Sequence, residues 1–286
     1  MTMAAPEPDG PADALVGPRE APDVHVMTFN IRRAADGMLR RRADRWSWRA
    51  PAVHELLASE RPTLIGLQEA MPRVMPLVRE ALGSDHRVIG TGRGPGGRGE
   101  GTPILFDRTR LELRDWGQRA LSDAPDRAGS IGWGNLIPRI LVWAEFVERR
   151  TGTRFVAINT HLDPVSASSR QRSALAIRQL AAKRGLPAVV TGDLNAGAGS
   201  TTVRELQAGR ALVDPWAAAE RRTGPQWGTY PGYRRPRTGG RQLDWILTTP
   251  DVRVSAVGIN ARTPGGRSPS DHLPVQAVLR FGEAAA

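Results

Sequence analysis

The chain has 286 residues, 40% of them hydrophobic, with no cysteine and a formal net charge of +11. This excludes disulfide frameworks, thiolate metal sites and a cysteine nucleophile, and it is a soluble globular composition. With no run of ~20 apolar residues to span a bilayer and no readable secretory signal, a cytoplasmic protein is expected. Nearly all the positive charge is arginine, Lys183 being the single lysine; the balance suits an anionic partner, a phosphorylated substrate or a nucleic acid.

Residues 1–22 are rich in Pro, Ala, Asp and Gly without a hydrophobic period and read as a disordered tail. One domain is expected over 23–282, acting as a monomer. Its first element is a strand at 24–31, Val-His-Val-Met-Thr-Phe-Asn-Ile. A helix is expected from near Pro51 through Val53, Leu56 and Leu57, then a short apolar strand, Leu64–Leu67. Strands follow at 103–107, 139–147 and 155–162. The next helix, 170–184, carries Ala174, Ile177 and Ala181 at helical spacing and stops at Gly185. Strands at 187–194, 242–249 and 274–281 complete the set. The turn Arg150-Thr151-Gly152 makes a hairpin of two of them, and no helix follows the last, so an α/β sandwich with mixed sheets is expected.

Gly92, Gly94 and Gly97 follow a possible strand at 86–90 in a dinucleotide-loop spacing. The next element is a strand and not the helix such a loop needs, so this is a surface loop. Arg40, Arg41, Arg42, Arg45 and Arg49 interleave with Trp46 and Trp48; a helix start with water-facing arginines is favoured over a nucleic-acid platform. The loop from Tyr233 to Arg241 runs into the strand of Asp244, within reach of a bound anion.

Chemically capable residues recur where strands meet loops. They lie in Thr28-Phe29-Asn30, Gly66-Leu67-Gln68-Glu69, Asn159-Thr160-His161-Leu162-Asp163, Gly192-Asp193-Leu194-Asn195, Leu243-Asp244-Trp245-Ile246 and Ser270-Asp271-His272. Singly, each is an ordinary turn or cap residue. Together they supply carboxylates and amide oxygens, hard ligands suited to Mg²⁺, with Mn²⁺ as alternative, in a shell completed by substrate phosphate. Asn30, Glu69, His161, Asp193 and Asn195 follow their strands, whereas Asp244, Asp271 and His272 precede theirs. If the late strands run antiparallel to the others, all eight gather at one edge.

The ordered set resembles the endonuclease/exonuclease/phosphatase superfamily across residues 24–281. The resemblance implies a four-layered α/β sandwich, two central mixed β-sheets flanked by helices, and hydrolysis of phosphate esters or diesters by in-line attack of water. A nuclease, or a non-catalytic anion-binding relative of the fold, is the alternative. It also implies roles. Glu69, Asn30 and Asp271 would hold the metal, Asn30 as ligand or hydrogen-bond partner. His272, oriented by Asp244, would be general base or phosphate stabiliser. Asp193 would orient the water, while Asn195 and His161 would contact the phosphoryl group. Arg139 would bind phosphate. Glu100 would face the mouth or cap its loop.

Overall fold

The computed structural model describes residues 14–282. In chain order these comprise β1 (Val24–Asn30), α1 (Trp46–Glu60), β2 (Leu64–Gln68), α2 (Met75–Leu82), β3 (His86–Ile89), β4 (Ile104–Asp107), β5 (Leu111–Ala120), β6 (Ile140–Glu148) and β7 (Arg154–His161). Then follow α3 (Ala167–Arg184), β8 (Ala188–Asp193), α4 (Thr201–Gln207), α5 (Pro215–Ala218), β9 (Arg221–Thr223), β10 (Asp244–Thr248), β11 (Arg253–Ile259) and β12 (Val275–Arg280). Among the described residues, no helix is long and apolar enough to cross a membrane.

The strands form a seven-stranded sheet, β3-β4-β2-β1-β12-β11-β9, and a five-stranded sheet, β10-β8-β7-β6-β5. Both are mixed: β1 pairs parallel with β2 and antiparallel with β12, and β8 pairs parallel with β7 and antiparallel with β10.

Side-chain alternation makes the layers. On β1, Val24 and Val26 join the core between the sheets, whereas Met27 and Phe29 pack outward with Val53 and Leu56 of α1 and Val78 of α2. On β7, Phe155 and Ala157 face inward while Val156 and Ile158 meet Ile177 and Leu180 of α3. Strand β10 repeats the pattern, Ile246 inward and Trp245 outward. The four-layered α/β sandwich follows, its strands apolar on both faces.

Counting by twos from these inward residues, and from Val189 of β8 in the same core, reaches Asn30 on β1, His161 on β7, Asp193 on β8 and Asp244 on β10. The same sheet faces that bury valine and phenylalanine therefore direct polar groups between the sheets at one end. One step below lies a buried polar layer. Gln68 Nε2 donates to Thr28 Oγ1 at 3.1 Å and to Asn159 Oδ1 at 2.8 Å, and Thr191 Oγ1 donates to Asn159 Oδ1 at 3.1 Å. The sheets close to this distance because Gly66 has no side chain. A Cβ there would lie 2.4 Å from Thr191 Oγ1 and 2.5 Å from Asn159 Oδ1.

Some expectations need correction. Residues 1–13 of the expected tail lie outside the described residues, but 14–22 are packed. The buried Glu60 carboxylate accepts from the amides of Leu15 (2.6 Å), Val16 (3.1 Å) and Gly17 (2.9 Å), and Val16 packs on Ala256 and Val278. A carboxylate more than 40 residues away supplies the order that local composition lacks. Helix α1 begins at Trp46 rather than near Pro51. Arg49 does not face water: fully buried, it donates to the carbonyls of Ile31 (2.8 Å) and Pro269 (3.0 Å), tying together the segments that carry Asn30 and Asp271.

Candidate active site

The antiparallel pairing decides the site. Asp244 opens β10 directly opposite Asp193 at the end of β8, and His161 ends β7 in register with Asp193. Strand β12 runs against β1, bringing the preceding Ser270-Asp271-His272 back beside Asn30, whose carbonyl accepts from Ser270 Oγ at 2.7 Å. A cavity of about 510 Å³ opens at this end. Glu69, Arg139, His161, Asp193, Asn195, Asp271 and His272 all line it. Asn30 and Asp244 lie beneath and hold the lining residues, so all nine expected positions converge.

Two hydrogen-bonded units make up the floor. In the first, Asp244 Oδ2 and His272 Nδ1 are 2.8 Å apart, both residues buried. Burial alone would lower the imidazole, but Asp244 and then Asp193 outweigh it and raise His272 to about 10. His272 is therefore imidazolium at neutral pH, and both ring nitrogens donate. Its Nε2 lies 3.8 Å from Asp193 Oδ2. In the second unit, Asn30 Nδ2 donates to Asp193 Oδ2 at 3.0 Å and to Glu69 Oε1 at 3.2 Å, while Asn30 Oδ1 accepts from the Arg32 amide at 2.9 Å. Asn30 thus bridges two carboxylates through Nδ2, while its carbonyl oxygen keeps a second lone pair for a metal.

Burial, then the charge of Asp244, pushes Asp193 up to about 7 against the pull of His272. Burial and the Arg139 charge lower His161 to about 3, so its 3.6 Å approach to Asp193 is a contact of a neutral ring and not an ion pair. Burial would also raise Glu69, yet its carboxyl sits below the ordinary range, with His161, the Arg33 amide and Arg32 favouring its charge. Since His161 is neutral near pH 7, the Arg33 amide (2.6 Å to Oε2), Arg32 and the His272 imidazolium supply that effect.

Backbone strain accompanies these positions. Glu69 (φ 56°), Asn195 (φ 48°) and Arg32 (φ 57°) occupy the left-handed region, a cost that proteins retain where a side chain must be aimed. Asn195 uses one N–H on the Leu162 carbonyl at 3.0 Å, which leaves the second for a ligand. Arg139 is 5% exposed; its Nε donates to Asp163 at 3.2 Å, while its Nη1 has no partner among the described residues. Glu100 lines the mouth, paired with Arg93 at 2.6 Å and Arg33 at 3.4 Å. In the glycine-rich loop, Gly92 bridges to Gly101, as fits a surface turn and not a nucleotide loop.

Two supports carried no sequence signal. Thr229 Oγ1 accepts from the amides of Leu243 (2.9 Å) and Asp244 (3.0 Å), and the Tyr230 ring lies 4.7 Å from that of His272. Of the basic loop 233–241, Arg241 reaches the cavity lining and stacks over Tyr230 at 5.2 Å.

Two acidic groups could hold a cation. Asp193, Asp244 and His272 each bring one ligand atom within 4.8 Å of the others, but His272 Nδ1 and Asp244 Oδ2 already engage one another at 2.8 Å. Glu69 and Asp271 instead line the cavity. Burial raises Asp271, His272 and Arg32 oppose this, and the Glu69 charge adds to it. A divalent cation between the two carboxylates would relieve that repulsion, and their oxygens suit a hard ion.

A search among curated proteins found no match. Solved structures are similar over nearly the whole chain. One is an endonuclease/exonuclease/phosphatase from Bacteroides vulgatus, 31% identical, with 91% of this chain and 99% of that chain covered and a TM-score of 0.83. Another is a mannosyl-6-phosphatase from Bacteroides thetaiotaomicron, 27% identical, with 90% and 100% covered and a TM-score of 0.83. The human Nocturnin catalytic domain, 19% identical over 93% and 97% of the two chains with a TM-score of 0.69, shares the fold. Residues 27–272 match the model of one family. The chain belongs to the endonuclease/exonuclease/phosphatase family.

Proposed function

We propose that the chain is a divalent-metal-dependent phosphoesterase in which water attacks phosphorus in line with the departing ester oxygen. The observation that carries this reading is the division of charge across one cavity. Asp193, raised to about 7, adjoins an imidazolium held by Asp244, with Glu69 and Asp271 to one side. Mg²⁺ or Mn²⁺ on Glu69 and Asp271 would supply Lewis-acid stabilisation of phosphate charge.

The residues divide the remaining work. Asp193 has the proton affinity of a base that works near neutrality; it takes the proton of the attacking water as the P–O bond to the leaving group breaks. His272 is already protonated, so it serves as a phosphate stabiliser and not as the base, its Nε2–H directed at a phosphoryl oxygen. Asn195 and neutral His161 offer further hydrogen bonds to the same group. Arg139, with one guanidinium nitrogen engaged and another free, binds a phosphoryl oxygen and holds the ester against Asp193.

Membership of the family and the 27% identical mannosyl-6-phosphatase support phosphoester hydrolysis. The six arginines lining the cavity favour an anionic substrate. The test is turnover of mannose 6-phosphate, p-nitrophenyl phosphate, bis-p-nitrophenyl phosphate and plasmid DNA, each with Mg²⁺, Mn²⁺ or EDTA. Metal-dependent turnover of any of them that Glu69→Ala abolishes supports the reading and identifies the ester class. A Glu69→Ala protein as active as wild type would sink it.

A further inference from the structure

The four most exposed large hydrophobic side chains among the described residues are Leu39 (104% exposed), Met38 (93%), Leu136 (87%) and Val165 (83%). They come from three separate loops, and every one lies within two residues of a side chain that lines the active-site cavity. Met38 and Leu39 precede Arg40, Leu136 precedes Ile137, and Val165 follows Pro164. The loops leave the sheets at the end where Asn30, Arg139 and His161 sit, and Ile137 (46% exposed), which lines the cavity, adds to the same collar.

Single exposed aliphatics need no explanation. Four at nearly full exposure, gathered at one opening, are an apolar patch of the kind that marks a binding surface. Its charge indicates the partner. Arg33, Arg40 and Arg241 line the mouth, the adjoining Arg41 and Arg42 are exposed, and so are Arg234, Arg235 and Arg237 on the loop leading to Arg241.

We propose that this mouth is a docking surface for an anionic lipid bilayer. The aliphatic tips enter the headgroup boundary, the surrounding arginines meet lipid phosphates, and the cavity opens onto the membrane. Aliphatic insertion combined with basic charge is the usual chemistry of peripheral membrane binding. Nucleic acid is the lesser fit, because bases stack on aromatic faces. Tyr230, which lines the cavity, is already packed against His272 and Arg241, and Trp116, the one aromatic residue among the exposed large hydrophobics, does not line it. The docking surface adjoins the cavity of the phosphoesterase reading, and vesicle binding tests it apart from turnover.

The experiment compares the full chain with a Met38→Ser, Leu39→Ser, Leu136→Ser, Val165→Ser variant in flotation with vesicles. One set is phosphatidylcholine, the other phosphatidylcholine mixed with phosphatidylglycerol. Wild type is expected to bind the anionic vesicles, and the variant at least about tenfold more weakly, with turnover of p-nitrophenyl phosphate unchanged. Wild type that fails to bind, or a variant that binds equally well, overturns the docking surface. So does a defect confined to a labelled single-stranded oligonucleotide, or a wild-type dimer in sedimentation velocity that the variant abolishes. Vesicle binding lost in the variant, with no turnover of mannose 6-phosphate, p-nitrophenyl phosphate, bis-p-nitrophenyl phosphate or plasmid DNA by either protein, would sink the phosphoesterase reading while leaving the docking surface in place.

Discussion

Replacing Asp193 by asparagine tests the electrostatics of the site through folding as well as turnover. The side chain is 1% exposed, and burial with the charge of Asp244 raises its carboxyl from 3.8 to about 7. A group raised on folding keeps its proton longer in the native state. Its stabilising contribution is therefore complete below the unfolded value and is lost as pH rises through about 7. At about 1.4 kcal/mol per pH unit, the native protein loses about 2–3 kcal/mol through this group between about pH 5 and about pH 8.5. Asparagine does not ionise and escapes that loss. Removing Asp193 also removes one of the charges that raise His272, so the variant loses no more stability through that imidazole over the same interval than wild type does. Relative to wild type, Asp193→Asn should thus gain at least about 2–3 kcal/mol on moving from the lower to the higher pH. This is a differential Tm shift of about 4–10 °C, measured by calorimetry in EDTA. With metal present, kcat should fall about 10²–10⁴-fold. The same Tm difference at both pH values would refute a raised carboxyl at Asp193, and undiminished kcat would refute its role as base.

Three further outcomes are expected. Asp244→Asn removes the leading cause that raises His272 to about 10, so the basic limb of kcat/KM should move down by about 2 units or more; an unmoved limb would show that His272 does not titrate in turnover. Arg139→Lys loses the fork that engages Asp163 while offering a second nitrogen to the cavity, so kcat/KM should drop about 10–100-fold at nearly constant Tm. A change under about twofold would remove Arg139 from phosphate binding. Glu60→Gln replaces a buried carboxylate that accepts from the amides of Leu15, Val16 and Gly17 and from Asn260 Nδ2 at 2.8 Å. Urea unfolding should show a loss of about 2–4 kcal/mol with kcat unchanged; no loss would mean the segment 14–22 adds nothing to stability.

The site was legible because its residues stand at strand ends in apolar surroundings. Val-Met-Thr-Phe-Asn and Val-Val-Thr-Gly-Asp each show a buried strand and its terminal polar group together. Antiparallel return of the late strands was the one condition required for convergence, and β10 on β8 and β12 on β1 meet it. What escaped detection depends on tertiary context. Strand β5 carries Glu112, Arg114, Asp115 and Arg119 because it is a sheet edge facing water, and charge at an edge hides the strand pattern. Strand β11 is diluted by Ser255 and Gly258, and helix α2 begins Met75-Pro76 after a short turn. Arg49 reads from sequence as a solvated charge, and Glu60 carries no distinguishing pattern. Each is buried because it satisfies backbone groups distant in the chain, which no local pattern encodes. Thr229 and Tyr230 act on Asp244 and His272 from a loop with no motif of its own.

The central claim is that Glu69 and Asp271 hold a divalent cation in the cavity where Asp193 and His272 act on a phosphate ester. Its most direct test is turnover of mannose 6-phosphate and bis-p-nitrophenyl phosphate by the purified chain, titrated with Mg²⁺ after EDTA treatment, beside Glu69→Ala. The account predicts saturable restoration of activity by Mg²⁺ on at least one ester, and no restoration in the variant. Turnover that persists in EDTA, or that returns equally in Glu69→Ala, would contradict it.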